Sequence, residues 1–251
     1  MLRYRIIPTL LFKNDGLVKT MRFKNPVYVG DPINAVRIFN KKEVDELIIL
    51  DITSTLEKSE LKYKKIEEII SEAFMPMGYG GGINNLEQIE KLFKMGIEKV
   101  ILNTAAYLNP DLIKQAVQTF GNQSIVVAID IKKDFLGKNH IYTHSGSKKQ
   151  NIDLVTALRT YEDSGAGEIF INSIDRDGTM IGYDVDLIRQ VSENVSVPVV
   201  ASGGAGKIEH FSDAIKAGAS GVAAGAMFVF HGVHRAVLIS YPKYEELEKI
   251  L

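Results

Sequence analysis

The chain carries 251 residues, 45% of them apolar and 24% charged, with a net charge of -1 and no cysteine. That length buries either two ordinary cores or one α/β barrel. The near-neutral balance leaves no field to draw the chain to nucleic acid or an anionic membrane, and the missing cysteine excludes disulfides, thiolate metal sites and a cysteine nucleophile.

Met1-Leu2-Arg3-Tyr4-Arg5 leads straight into a strand-like run, not a cleavable signal. No apolar stretch reaches the roughly 18 residues that span a bilayer, so the expected location is the cytoplasm. The first run, 4–10, is followed by a long loop, 13–31, holding Lys13, Lys19, Arg22 and Lys24. Loops longer than about 15 residues in compact domains are often lids, and Lys19 is a candidate to close over a phosphate; a solvated basic loop is the plainer alternative. Run two, 46–52, holds Asp51 near its end, and run three, 76–80, leads into Gly81-Gly82. Leu86, Ile89, Leu92 and Phe93 then share one helix face.

Run four, 99–103, ends on Asn103 before Thr104, and run five, 124–130, ends on Asp130, with Ser145 placed at the same end by the connection beyond. Run six, 168–172, precedes Asp175-Arg176-Asp177-Gly178-Thr179, and run seven, 197–202, ends in Ser202-Gly203-Gly204. Phe211, Ala214 and Ile215 mark another helix face, and run eight, 221–224, leads into Gly225-Ala226. His231, His234 and Arg235 follow; a His-x-x-His pair with no third ligand makes no metal site, and no cofactor motif is present.

Short, nearly continuous apolar runs suit parallel strands buried on both faces. Eight such runs alternating with helical spacing, and no linker between them, predict an α/β chain: a (β/α)8 TIM barrel forming a single domain over residues 1–251. The chain also repeats itself. Gly81-Gly82-Ile83-Asn84-Asn85-Leu86-Glu87 matches Gly203-Gly204-Ala205-Gly206-Lys207-Ile208-Glu209, Lys94-Met95-Gly96 matches Lys216-Ala217-Gly218, and Val100 matches Val222. A two-fold half-barrel repeat suits a ligand with an anionic group at each end.

Glycines at strand ends let backbone N–H groups approach an anion, and the loops after strands seven and eight are the usual phosphate site of such barrels. Gly81, Gly82, Asn103 and Thr104 form one candidate site; Ser202, Gly203, Gly204 and Gly225 form the other. A turn between strand and helix would use the same glycines. Carboxylates at strand C-terminal ends point into the mouth, where general acid–base chemistry occurs. Asp130 is the candidate there and Asp51 a second mouth residue, while Asp175 and Asp177 would serve equally as loop caps. The repeat sets Leu11 opposite Asp130, and leucine transfers no proton. At the other end Arg5, Glu46, Lys99 and Glu168 stand near strand starts, either as an inward ring or as ordinary surface pairs.

Arg5-Ile6-Ile7, Gly30-Asp31-Pro32, Leu50-Asp51-Ile52-Thr53, Gly80-Gly81-Gly82-Ile83, Asn103-Thr104-Ala105, Val127-Ala128-Ile129-Asp130, Ser173-Ile174-Asp175-Arg176-Asp177-Gly178-Thr179 and Ala201-Ser202-Gly203-Gly204-Ala205-Gly206 together resemble HisF, the cyclase subunit of imidazole glycerol phosphate synthase. The resemblance covers nearly the whole chain. It implies a barrel docked by its lower face on a glutaminase, HisH, whose ammonia crosses a charged gate, rises through the barrel and closes an imidazole ring on a bisphosphorylated precursor. It implies gate roles for Arg5, Glu46, Lys99 and Glu168, a lid role for Lys19, and phosphate roles for Gly82, Asn103, Thr104, Asp177, Gly178, Gly203, Gly204 and Gly225, with Gly81, Thr179 and Ser202 beside them.

Two departures stand out. The family's first catalytic aspartate is replaced by Leu11, and Gly225-Ala226 lacks a serine of the second phosphate loop. The strings 11–20 and 228–242 resemble a subgroup of HisF-like proteins encoded with surface-polysaccharide enzymes. That subgroup implies delivery of ammonia to a third enzyme, which converts an acetamido group on a nucleotide-linked sugar to an acetamidino group. The alternatives are a genuine cyclase of histidine biosynthesis, with Asp130 alone or with Asp15 displaced into the role, and a sugar-phosphate isomerase, which needs both aspartates.

Overall fold

The computed structural model describes residues 4–249; residues 1–3, read above as leading into the first strand, lie outside them. Eight parallel strands follow one another: β1 (Arg5–Lys13), β2 (Leu47–Asp51), β3 (Met77–Gly80), β4 (Lys99–Leu102), β5 (Ile125–Lys133), β6 (Glu168–Ser173), β7 (Val199–Ser202) and β8 (Gly221–Ala224). Each pairs in parallel with the next, and β8 pairs back onto β1 from Arg5↔Gly221 to Pro8↔Ala224, which closes the barrel. The expected strands are all present.

Helices α1 (Pro32–Lys41), α2 (Tyr63–Ile70), α3 (Leu86–Lys94), α4 (Asp111–Phe120), α5 (Leu154–Asp163), α6 (Val185–Ser192), α7 (Glu209–Lys216) and α8 (Tyr244–Glu248) follow the strands in turn. Four of them begin on an Asx cap that satisfies one orphan N–H of the first turn: Asp31 for α1, Asn85 for α3, Asp153 for α5 and Asp184 for α6. Their apolar stripes pack on the outside of the sheet. Ile89 and Leu92 of α3 and Phe211 and Ala214 of α7 are buried, and Leu86, Phe93 and Ile215 lie half-buried against them.

Strand alternation sends every second side chain inward. A separate apolar layer fills the barrel from Ile7, Ile48, Ile101, Val126, Phe170, Val200 and Ala223. It stands apart from the larger core between sheet and helices. Below it lie the four charges, and above it the mouth.

One expectation is corrected. Residues 13–31 are not an irregular loop. β1 continues into an antiparallel ribbon of two further strands, Gly16–Met21 and Lys24–Gly30. Asn14 and Asp15 (φ 49° and 63°), then Arg22 and Phe23 (φ 52° and 61°), hold positive φ at consecutive positions, as tight hairpin turns require. β5 behaves likewise, running on to Lys133 and pairing with an antiparallel strand, Asn139–Thr143. Both halves of the repeat therefore raise a hairpin over the mouth.

Candidate functional site

The strand C-terminal ends enclose a cavity of about 600 Å³. Asp130 and Leu11 both line it, with Gly81, Gly82, Asn103 and Thr104 among the residues of one side and Ser202, Gly203, Gly204 and Gly225 among those of the other. The glycines are there for space as well as conformation. At Gly81 (φ +104°) a Cβ would lie 2.0 Å from the Asp51 carbonyl oxygen, and at Gly204 (φ +118°) 2.1 Å from that of Gly182.

Asp130 accepts two amide hydrogen bonds, one from Asn103 Nδ2 and one from Asn172 Nδ2, each 3.1 Å long. Burial nevertheless dominates and pushes its carboxyl up to about 7; the Asn172 bond opposes the rise, the Asp177 charge adds to it, and the Asn103 bond opposes it. A carboxyl so placed is half ionised near neutral pH, which suits proton transfer.

The register makes the comparison with Leu11 direct. Asp130 stands opposite Asn172 across the β5–β6 pair, and Leu11 stands opposite Leu50 across the β1–β2 pair. Leu50 is to Leu11 in the first half what Asn172 is to Asp130 in the second. On the other flank, where Asn103 follows β4, Gly225 follows β8. Both the carboxylate and its side-chain donors are therefore replaced, and Leu11 is buried at 9% exposure. Asp15 does not fill the gap. It is exposed, pairs with Lys62 at 2.8 Å and lies outside the cavity lining.

Asp51 reaches the mouth but is fully engaged. Its two oxygens accept from the backbone N–H and hydroxyl groups of both Thr53 and Ser54, at 2.6–3.0 Å, and so cap the short helical turn Ser54–Glu57. Thr104 Oγ1 accepts from the backbone N–H of His144 (2.9 Å), and Ser145 Oγ donates to the Ile52 carbonyl (3.0 Å), so both tie the β5 hairpin to the rim. Gly82 N already donates to Thr55 Oγ1 at 3.1 Å. Thr179, expected beside the phosphate loops, donates its hydroxyl to the Arg176 carbonyl (2.6 Å) and is absent from the cavity lining, because the turn after β6 folds it back.

Lys19 enters the mouth from the ribbon with 6% of its surface exposed, and its Nζ lies 3.0 Å from where a Gly225 Cβ would stand. It pairs with Asp177 Oδ1 at 2.9 Å, Thr20 Oγ1 donates to Asp177 Oδ2 at 2.9 Å, and Arg22 N donates to the Asp177 carbonyl at 2.9 Å. Asp177 thus fastens the ribbon across the mouth. Gly178 completes the junction, with Arg235 donating to its carbonyl at 3.0 Å.

At the barrel floor the four charges do form a ring. Arg5 bonds Glu46 at 2.5 Å and also Glu168, and Lys99 reaches Glu46 at 3.1 Å and Glu168 at 3.4 Å. Burial alone would lower the Arg5 pKa; the Glu168 and Glu46 carboxylates outweigh it and hold the group above its ordinary value. Among the described residues, one oxygen of each glutamate, Oε1, is buried with no hydrogen-bond partner.

The comparisons with known proteins agree with this geometry. A family model described as "Histidine biosynthesis protein" matches residues 5–234. The chain is 50% identical over 249 residues to a Pseudomonas aeruginosa protein named "Putative imidazole glycerol phosphate synthase subunit hisF2", covering 99% of each. A Leptospira interrogans protein named "Putative imidazole glycerol phosphate synthase subunit HisF" is 46% identical across 100% of this chain and 99% of its own. The "Imidazole glycerol phosphate synthase subunit HisF" of Petrotoga mobilis is 40% identical over 94% of each chain.

The chain belongs to the HisF family.

In this HisF-family barrel several mouth residues carried no sequence signal. Lys58, His144 and Asn172 all line the cavity, as does Lys13 of the basic segment read above. Asn172 was visible only as the last residue of a strand; Lys58 and His144 sit in connections whose course no periodicity predicts. His231 and His234 are exposed on a small hairpin after β8. Among the described residues no helix is long and apolar enough to cross a membrane.

Proposed function

We propose that this chain is the ammonia-conducting subunit of a glutamine amidotransferase complex and that it makes no imidazole ring itself. A HisH-like glutaminase docks on the lower face and releases ammonia at the ring of Arg5, Glu46, Lys99 and Glu168. The oxygens of Glu46 and Glu168 that lack a partner among the described residues offer acceptors to ammonia N–H groups. Only the neutral molecule crosses the apolar layer above, because a bare charge there meets no partner. The product leaves through the mouth, where a phosphorylated small molecule is held by the two glycine cradles, and passes to a third enzyme that amidates a nucleotide-linked sugar in surface-polysaccharide synthesis.

The observation that carries this reading is Leu11 beside Leu50, where the other half of the barrel has Asp130 beside Asn172. Losing a general acid or base commonly costs about 10²–10⁴ in rate. The test is reconstitution with the glutaminase and the sugar-amidating enzyme. Glutamine consumption should then match acetamidino sugar formed, and replacing the sugar with the imidazole precursor should give no cyclised product. Cyclised product in that second arm, with none from the sugar arm, would establish the genuine cyclase in its place.

A further inference from the structure

We propose that His144 is an anion-binding residue of the mouth: a neutral imidazole, locked in one tautomer, that presents Nε2–H to a phosphoryl group seated beside Thr104. The proposal rests on the reading that the mouth holds a phosphorylated molecule and names a recognition group for one of its ends.

The tautomer follows from a three-residue relay. Gln150 Nε2 faces two oxygens, Thr143 Oγ1 at 2.6 Å and the Lys148 carbonyl at 3.4 Å. A carbonyl only accepts, so the nitrogen of that amide faces this pair, and Thr143 accepts from it. Thr143 is 1% exposed, and among the described residues its Oγ1 has one further hydrogen-bonding neighbour, His144 Nδ1 at 2.9 Å. The hydroxyl hydrogen therefore goes to Nδ1, and the ring keeps its own proton on Nε2. Burial first, then the charges of Lys148 and Lys58, hold the imidazole pKa below its ordinary value, which favours the neutral ring. Among the described residues Nε2 has no hydrogen-bond partner, and His144 is one of the residues that line the cavity.

The backbone here turns tightly between Thr143 and Lys148, which pair across the hairpin. His144 and Ser145 both adopt φ of +52°, a region that side chains rarely occupy. Two bonds fix them there, His144 N to Thr104 Oγ1 and Ser145 Oγ to the Ile52 carbonyl. Lys58, also at positive φ (+50°), lines the same side of the cavity and adds positive charge.

The half-repeat supplies an independent argument. In the first half the hairpin after β1 carries Lys19 to Gly225, at the end of the neighbouring strand β8. In the second half the hairpin after β5 ties His144 to Thr104, just past the neighbouring strand β4. Each cradle thus has one residue of the neighbouring hairpin beside it: Lys19 through its ammonium on one side, and His144, held to Thr104 by its backbone N–H, on the other.

The test uses the whole chain and inorganic phosphate. The five histidines allow a long-range proton–nitrogen spectrum in which His144 is assigned by its disappearance in His144→Phe. The wild type should show the Nε2–H tautomer, Gln150→Leu should mix the tautomers, and saturating phosphate should move the His144 Nε2 signal. Phosphate affinity should fall about tenfold or more in His144→Phe, the loss expected for one hydrogen bond to a charged group. His144→Gln, which keeps an N–H donor, should retain most of it. A His144 signal unmoved by saturating phosphate, equal affinity in His144→Phe, or no phosphate binding at all would each overturn the proposal. Cyclase activity is not read in this experiment. Ring formation by the wild type would remove the conduit reading and leave the role of His144 standing.

Discussion

Asp130→Asn should change the pH dependence of folding in a defined direction. In the native state burial lifts the Asp130 carboxyl from 3.8 to about 7. A raised acid pKa means that the folded chain binds the proton more tightly than the unfolded one. Wild-type stability is therefore lost as pH climbs from the unfolded value toward about 7 and stays reduced above it. At about 1.36 kcal/mol per pH unit the full difference is about 4 kcal/mol, and screening by the open mouth brings the expected figure to about 3. The asparagine variant carries no such penalty. Asn172 Oδ1, buried and without a partner among the described residues, gives the new amide an acceptor if the Asn172 side chain turns over. Urea denaturation of both proteins across a pH series measures the effect. The variant should gain about 3 kcal/mol on the wild type between about pH 4 and pH 8, and the difference should be flat outside that window. Parallel stability curves would refute the burial argument, and a gain appearing only below pH 4 would reverse its sign.

Leu11→Asp alone should recover less cyclisation than Leu11→Asp with Leu50→Asn, by about tenfold or more, because the single variant buries a carboxylate without the amide that Asp130 receives from Asn172; ammonium-dependent turnover of the precursor decides it. Glu46→Ala should cost about 3 kcal/mol in chemical denaturation, since Arg5 and Lys99 lose a shared buried carboxylate and keep only Glu168. Gly204→Ala should lower the melting temperature well beyond Gly137→Ala: both positions have positive φ, but the first meets the Gly182 carbonyl at 2.1 Å and the second meets nothing within 4 Å.

Strands and barrel were legible because a parallel sheet buried on both faces writes itself as short apolar runs, and because Gly81-Gly82 and Gly203-Gly204 repeat at the same strand ends. The ring at the floor was half legible. Strand starts placed Arg5, Glu46, Lys99 and Glu168 at one end, but the convergence of two cations on two Oε2 atoms depends on barrel closure, which no local pattern encodes. The ribbon was misread as a loop. Asn14-Asp15 is a recognisable turn pair, whereas Arg22-Phe23 holds the same conformation without the usual residues, so the second strand looked like loop. Asp51 and Thr179 show the other limit. Residue type marked them as polar groups near the mouth, yet local hydrogen bonds to Thr53, Ser54 and Arg176 engage them. The place of His144 in the mouth left no mark in the sequence, because its contacts with Thr143 and Thr104 are set by the hairpin and not by spacing.

The central claim is that Asp130 without a carboxyl at the Leu11 position is not enough for ring closure. It is tested by supplying the unmodified chain with ammonium salt and the imidazole precursor and following product with time. The account predicts no turnover above the uncatalysed background, whereas a rate in the ordinary enzymatic range, about 1–10³ per second, would contradict it.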